Sequence, residues 1–263
     1  SIILENVAKR GGSAMRIFYR RMIVLAFIGA LHLMFIWSGD ILLLYALLGM
    51  LLPFFRKLSD RILLTVASVL LFVPIVIDFL CEATQTDLSA PVVQMQQMFC
   101  ARFGITDDNF AYWLRDASSY KEVFQFLIQG ALVRIQEFID GNRYFKVLGL
   151  FIIGFIIGRQ HLYARIEEKR MWLKKVFGAG ILVGVPVSVL YAYSAMNSHP
   201  WGLAVHSLLY FFGVYPMAFA YISGICLLLL KNPDLTVFHR FAAPGRMALT
   251  NYIGQSVIGI LLF

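Results

Sequence analysis

Between Arg20 and Arg56 the chain runs through two apolar stretches, residues 22–37 and 41–55, parted only by Ser38-Gly39-Asp40. Arg20-Arg21 and Arg56-Lys57 close their outer ends. Runs of about 15–20 apolar residues bounded by charge predict membrane spans rather than core helices. With so short a connection, the two predict an antiparallel helical hairpin. Similar runs follow at 62–80, 144–158, 176–195, 203–230 and 247–263. The pattern therefore predicts an all-α, polytopic transmembrane bundle of about seven spans.

Residues 81–140 break this rhythm. Phe124, Leu127, Ile128, Ala131, Ile135 and Phe138 recur at helical spacing, with Glu122, Gln125, Gln129, Gln136 and Asp140 opposite. Such an amphipathic helix belongs at a membrane interface or over the end of a bundle. It could act as a lid over a substrate entrance or simply as a cap.

Composition sharpens the class. Hydrophobic residues make up 60% of the chain, charged residues 14%, and the mean hydropathy is +0.75. A soluble domain is nearer about 45–50% apolar and about 25% charged. No linker or repeat interrupts the 263 residues, so 1–263 reads as a single transmembrane domain with 81–140 as a helical insertion. Beginning at Ser1 and stopping at Phe263 within an apolar run, the chain reads as a fragment of a longer one.

Charge placement matters more than the net charge of +8. Lys9, Arg10, Arg16, Arg20 and Arg21 precede the first span, and the next connection has Asp40 and no base. Arg56, Lys57 and Arg61 follow the second span, and segment 81–140 carries eight acids against four bases. Arg159, Arg165, Lys169, Arg170, Lys174 and Lys175 crowd the next connection, 197–201 has none, and Lys231, Arg240 and Arg246 precede the last span. This alternation predicts a cytoplasmic N-terminus and an extracytoplasmic 81–140. Cys81 and Cys100 both fall in that outer segment, where they could form a disulfide or remain thiols. Cys226, within a span, reads as a small apolar filler.

Polar residues inside the spans are the candidate chemistry, because ionisable groups at membrane depth are costly. His32 lies ten residues into the first span, about 15 Å along a helix. It could be a general base oriented by Asp40, or a structural histidine bonded to a neighbouring helix. Asp40 could equally cap the second span, and the two roles are compatible. Asn251 and Gln255 are four apart and share a helix face, which should point into the bundle as glue or cavity lining. Arg246 could meet a phosphate or carboxylate, or anchor the cytoplasmic edge. His206 and Tyr210 share a face of the sixth span, and Pro216 should kink it. Gly154–Gly158 and Gly180–Gly184 are GxxxG spacings that permit close helix packing. The chain has no phosphate-binding glycine loop, zinc-type Cys/His spacing or G-x-S-x-G elbow. Its bases follow membrane sidedness rather than forming a nucleic-acid patch.

Two motifs carry a resemblance. Gly29-Ala30-Leu31-His32, Trp37-Ser38-Gly39-Asp40-Ile41-Leu42 and Tyr45-Ala46-Leu47-Leu48-Gly49 resemble the first hallmark of the YeiB-like family. Gly245-Arg246-Met247-Ala248-Leu249-Thr250-Asn251-Tyr252 with Gln255-Ser256 resembles the second. These are bacterial inner-membrane proteins catalogued as a domain of unknown function. They are grouped with transmembrane acyltransferases, including the lysosomal enzyme that acetylates heparan glucosamine and bacterial enzymes that O-acylate surface sugars. Family members usually begin with further spans and continue beyond the position of Phe263.

The resemblance implies a multi-pass inner-membrane protein that transfers an acyl group to an envelope glycan or lipid. Acyl-coenzyme A would be a co-substrate rather than a bound cofactor, docking near Arg20, Arg21, Arg56 and Arg246. His32, assisted by Asp40, would activate the acceptor, with Arg246, Asn251 and Gln255 as further substrate contacts and no metal. If the family's catalytic group lies in a preceding part, His32 is instead a supporting residue. A transporter or lipid flippase using the same polar interior is the alternative, as is a membrane scaffold docking through 81–140. The bilayer is the expected partner, self-association into a homo-oligomer is left open, and no nucleic acid is expected.

Overall fold

A computed structural model describes residues 14–232 and 236–262. Lys9, Arg10 and Phe263, which entered the charge and span readings, lie outside them. Every regular element among the described residues is helical. The main ones are α1 (Ala14–Phe35), α2 (Leu42–Gly49), α3 (Asp60–Thr84), α4 (Ala90–Phe103), α5 (Tyr120–Asp140), α6 (Arg143–Arg159), α7 (Arg170–Met196), α8 (Leu203–Lys231), α9 (Thr236–Arg246) and α10 (Ala248–Leu262).

Among the described residues four helices are long and apolar enough to cross a bilayer: Met15–Phe35, Asp60–Thr84, Arg170–Met196 and Leu203–Lys231. The successive helices α5 and α6, bent by 66° at a short break, make up to five if the pair is one span. Large apolar side chains on these spans face outward, as contact with lipid requires: on α7, Leu182 is 78% exposed and Met196 86%. The protein is therefore a helical membrane protein.

Residues 41–55, expected as one span, form the eight-residue α2 and then a 3-10 stretch at Leu52–Lys57. Eight residues rise only about 12 Å. Pro53 sits at the start of the 3-10 stretch and has no amide hydrogen to continue an α-helix. Residues 247–262 carry α10, fifteen residues long.

The described residues fall into two units. The first is drawn from Ser1–Ser59, Asp87–Ile152 and Met247–Phe263, and the second from Asp60–Thr86 and Ile153–Arg246. In the first, α1 and α2 pack as the expected antiparallel hairpin: Gly29 of α1 abuts the backbone of Leu42 and Leu43, while Gly49 of α2 faces Met22. Helix α5 lies over the turn between them. The Phe35 and Phe124 rings stack at 5.4 Å, and the Tyr120 hydroxyl donates to the Phe35 carbonyl at 2.8 Å. Helix α4 packs on α5, where Gln96 Nε2 donates to the buried Gln129 Oε1 at 3.2 Å. Asp87, just before α4, accepts from both the Ser89 hydroxyl and its backbone N–H, and these bonds hold its carboxyl below the usual range.

In the second unit α7 and α8 form a long antiparallel pair. The Gly180–Gly184 spacing works as expected: a Cβ at Gly180 would sit 2.5 Å from the Pro216 carbonyl oxygen. Gly154, by contrast, opens onto free space. Asp60 pairs with Arg159 and accepts from Gln160 Nε2 at 2.7 Å. No disulfide forms among the described residues.

Candidate functional site

The polar interior of the first unit is organised by the close approach of α1 and α2. At Gly29 an added Cβ would lie 2.5 Å from the Leu43 backbone nitrogen, so only glycine lets the start of α2 come this near. His32 follows three residues later, on the same face of α1. The turn Ser38-Gly39-Asp40 then folds Asp40 back over it. Both residues are 1% exposed.

Every atom of Asp40 that can accept is engaged. Oδ1 lies 3.0 Å from His32 Nδ1, and Oδ2 takes the Leu43 N–H at 2.8 Å in the first turn of α2. One oxygen thus faces the imidazole and the other bonds the first turn of α2, one residue ahead of its cap position Ile41. Its backbone carbonyl accepts from Arg134 Nε at 3.0 Å, and Arg134 Nη2 reaches the Gly39 carbonyl at 2.7 Å. Arg134 is anchored in turn by Glu137 on the same helix. The planar guanidinium therefore bridges two consecutive carbonyls of the turn.

The other side of the imidazole meets α10. His32 Nε2 is 3.0 Å from Ser256 Oγ, and the Tyr252 ring packs against the imidazole with centroids 5.1 Å apart. The Tyr252 hydroxyl accepts the Ile41 N–H at 3.3 Å and reaches Asp40 Oδ1 at 3.5 Å. The partners assign the tautomer. Asp40 takes hydrogen bonds from its surroundings, so Nδ1 carries the ring hydrogen toward it and Nε2 is left to accept from Ser256. The result is a chain Ser256–His32–Asp40 in which each member orients the next. Ser256 is half-buried, the least enclosed member of the chain. Such a chain is the chemical unit that raises the nucleophilicity of a hydroxyl and passes its proton to a ring nitrogen.

The structure brings His32 and Asp40 together as the sequence suggested. Arg20 and Arg21 sit on α1 and are exposed. Arg246 ends α9 in the second unit and is also exposed. Asn251 and Gln255, expected to point inward, are exposed, and their neighbours Tyr252 and Ser256 face the histidine instead. The spacing was right and the face was offset by one residue, or about 100° around the helix. Arg134 was not foreseen. Its signal was a lone base on the apolar stripe of α5, seven residues beyond Leu127 and three beyond Ala131.

A separate polar group occupies the second unit. Ser194 Oγ is 3.0 Å from His206 Nδ1, the His206 ring packs against Tyr191 and His199, and Asp78 accepts from Ser207. Tyr210 joins it through a ring contact with Tyr191. Two open depressions, of about 380 and 350 Å³, are lined by α4, α5 and the loop between them, and by none of the residues around His32.

Fold and site together define a helical membrane protein with a serine–histidine–aspartate chain in one of its units. Residues 157–263 match the family model described as "Protein of unknown function (DUF418)", the family that the two motifs resemble. The matched part includes Tyr252 and Ser256. The whole chain is also similar to the "Uncharacterized protein YxaH" of Bacillus subtilis (strain 168), at 26% identity over 273 positions. That alignment takes in 100% of this chain and 62% of the relative's length, so the chain spans under two thirds of the curated protein it matches. No solved structure matches it.

Proposed function

We propose that this chain is the catalytic bundle of a bacterial inner-membrane acyltransferase, moving an acyl group from acyl-coenzyme A to a hydroxyl or amine of an envelope glycan or lipid. The observation that carries the reading is His32, held at 3.0 Å by Asp40 on one ring nitrogen and at 3.0 Å by a hydroxyl on the other. A base in this position takes the proton of an attacking group as its oxygen or nitrogen bonds to the acyl carbon. The carbon–sulfur bond then breaks, and the departing thiolate accepts the proton from the imidazolium. Arg20 and Arg21 stand eleven to twelve residues before His32, about 17 Å along α1. They suit the phosphates of a donor whose flexible arm delivers the thioester deeper into the membrane. Arg246, exposed at the end of α9, is by itself a candidate contact for a phosphate or carboxylate.

The test is acyl-coenzyme A binding and turnover by the full-length protein in lipid nanodiscs, with envelope extract as acceptor and release of free thiol as readout. Wild type should bind saturably, with weaker binding after Arg246→Ala. His32→Ala should lower turnover by on the order of 10²–10⁴ while the protein melts normally. Asp40→Asn should approach the same loss, because an amide can present its NH₂ to Nδ1 and impose the wrong tautomer. Full activity in His32→Ala, or no donor binding by the folded protein, rejects the proposal.

A further inference from the structure

We infer that Ser256 is a covalent nucleophile, carrying the acyl group as an oxygen ester between donor and acceptor. The inference rests on the acyl-transfer reading of the site and adds to it a second reacting residue and a two-step course.

Three observations support it. Ser256 Oγ occupies the hydrogen-bonding position of His32 Nε2 at 3.0 Å. Any acceptor activated directly by His32 must first displace that hydroxyl, whereas Ser256 is already in place to lose its proton. Secondly, the far side of the ring is fixed. Asp40 Oδ1 holds Nδ1, the Leu43 N–H holds Oδ2, and Arg134 holds the Gly39 and Asp40 carbonyls. The imidazole has little freedom to turn toward another partner. Thirdly, burial is graded along the chain: Asp40 and His32 are 1% exposed and Ser256 is half-buried, so the serine is the least enclosed member of the three. The competing acceptor for the serine hydroxyl is the Tyr252 carbonyl one helical turn back, at a longer 3.4 Å.

The steps balance. Ser256 Oγ attacks the thioester carbonyl and His32 Nε2 takes the hydroxyl proton. The carbon–sulfur bond breaks, and the thiolate leaves with that proton, giving an acyl-serine. In the second half an acceptor hydroxyl or amine loses its proton to Nε2 and bonds to the acyl carbon. The Oγ–carbon bond breaks, and the proton returns to Ser256. Nothing is oxidised or reduced.

A tagged fluorophosphonate, which reacts with activated serines whatever their natural acyl donor, tests the nucleophile on the full chain in nanodiscs. The expected result is a single phosphonyl adduct mapped to Ser256 by mass spectrometry. It should be absent in Ser256→Ala and formed on the order of 10²–10⁴ more slowly in His32→Ala. Quenching a reaction with radiolabelled acetyl-coenzyme A should trap label on the same peptide. Ser256→Cys should carry the label as a thioester that neutral hydroxylamine releases, a second readout should the alanine variant fold poorly. A normally melting protein that stays unlabelled at Ser256 overturns the inference. So does transfer that needs His32 and survives Ser256→Ala, which would leave direct transfer standing. Labelling of Ser256 without any turnover of acyl-coenzyme A keeps the nucleophile and removes the donor proposed above.

Discussion

At the scale of single residues, the site depends as much on a missing side chain as on the polar ones. Gly29 is the point at which the backbones of α1 and α2 touch, and the atoms an added Cβ would meet, Leu43 N at 2.5 Å and Leu42 C at 3.0 Å, are backbone. Backbone cannot swing aside as a flexible side chain can, so the helices must separate. The same displacement draws Asp40 away from His32. Gly29→Ala should therefore destabilise the protein by about 1–3 kcal/mol, the usual cost of overpacking, and should also lower activity. Gly154→Ala is the matched control. Its new methyl meets open space, and replacing a helical glycine should be neutral or stabilising by up to about 1 kcal/mol. Thermal unfolding of both variants in the same detergent checks the pair. Equal melting temperatures would show that the close approach at Gly29 carries no stability.

At the scale of elements, α5 is a brace for the 38–40 turn. It meets the turn at Gly130, where a Cβ would lie 2.7 Å from the Ser38 side chain. One helical turn later Arg134 reaches the Gly39 and Asp40 carbonyls. A lysine keeps the charge and cannot present two coplanar N–H groups to neighbouring carbonyls. Arg134→Lys should accordingly lose about 1.5–3 kcal/mol of local stability, the worth of a charged hydrogen bond. Backbone amides of residues 36–43 should then exchange faster with deuterium, while those of α7 and α8 stay unchanged. Unaltered exchange in the turn would mean that the bridge does not hold it.

These two scales also divide what could be read from the chain. The α1–α2 hairpin was legible because apolar runs, flanking bases and a three-residue connection are all local features. His32 and Asp40 were legible because a titratable group inside an apolar run stands out in one dimension. Ser256 lies 224 residues from His32, and one hydroxyl in a helix has no distinctive pattern. Periodicity selected Asn251 and Gln255 as the polar face, since amides are the more costly groups to leave in lipid. The backbone rotation of α10 that turns Tyr252 and Ser256 inward is a property of packing. For the same reason the expected 41–55 span shrank to a short helix: hydropathy registered the apolar run and passed over the break at Gly49 and Pro53.

At the scale of the whole molecule, the two units share one charge rule, and that rule makes a prediction independent of the catalytic one. In the second unit the α7–α8 pair is joined at 197–202 by a connection without a base. The segment leading into α7 holds Arg165 and Lys169, with Arg170, Lys174 and Lys175 just inside the helix. Moving such a cluster across a membrane against the potential is unfavourable, so the bases should remain cytoplasmic and 197–202 should face outward. In the first unit the same rule puts Arg20 and Arg21 on the cytoplasmic side and the 38–40 turn, with Asp40, toward the outside. A single cysteine at Ser198 in a background lacking Cys81, Cys100 and Cys226 should react with an impermeant maleimide added to intact cells. One at Arg165 should react only after the membrane is opened, and one at Arg16 should behave like Arg165. This orientation bears on the proposed chemistry, because it would set the arginines proposed to bind the donor and the 38–40 turn on opposite sides of the bilayer. Labelling of Ser198 and Arg16 from the same side would break that arrangement. Donor and acceptor would then have to approach His32 from one face, and a path for the acyl group along α1 would no longer be required.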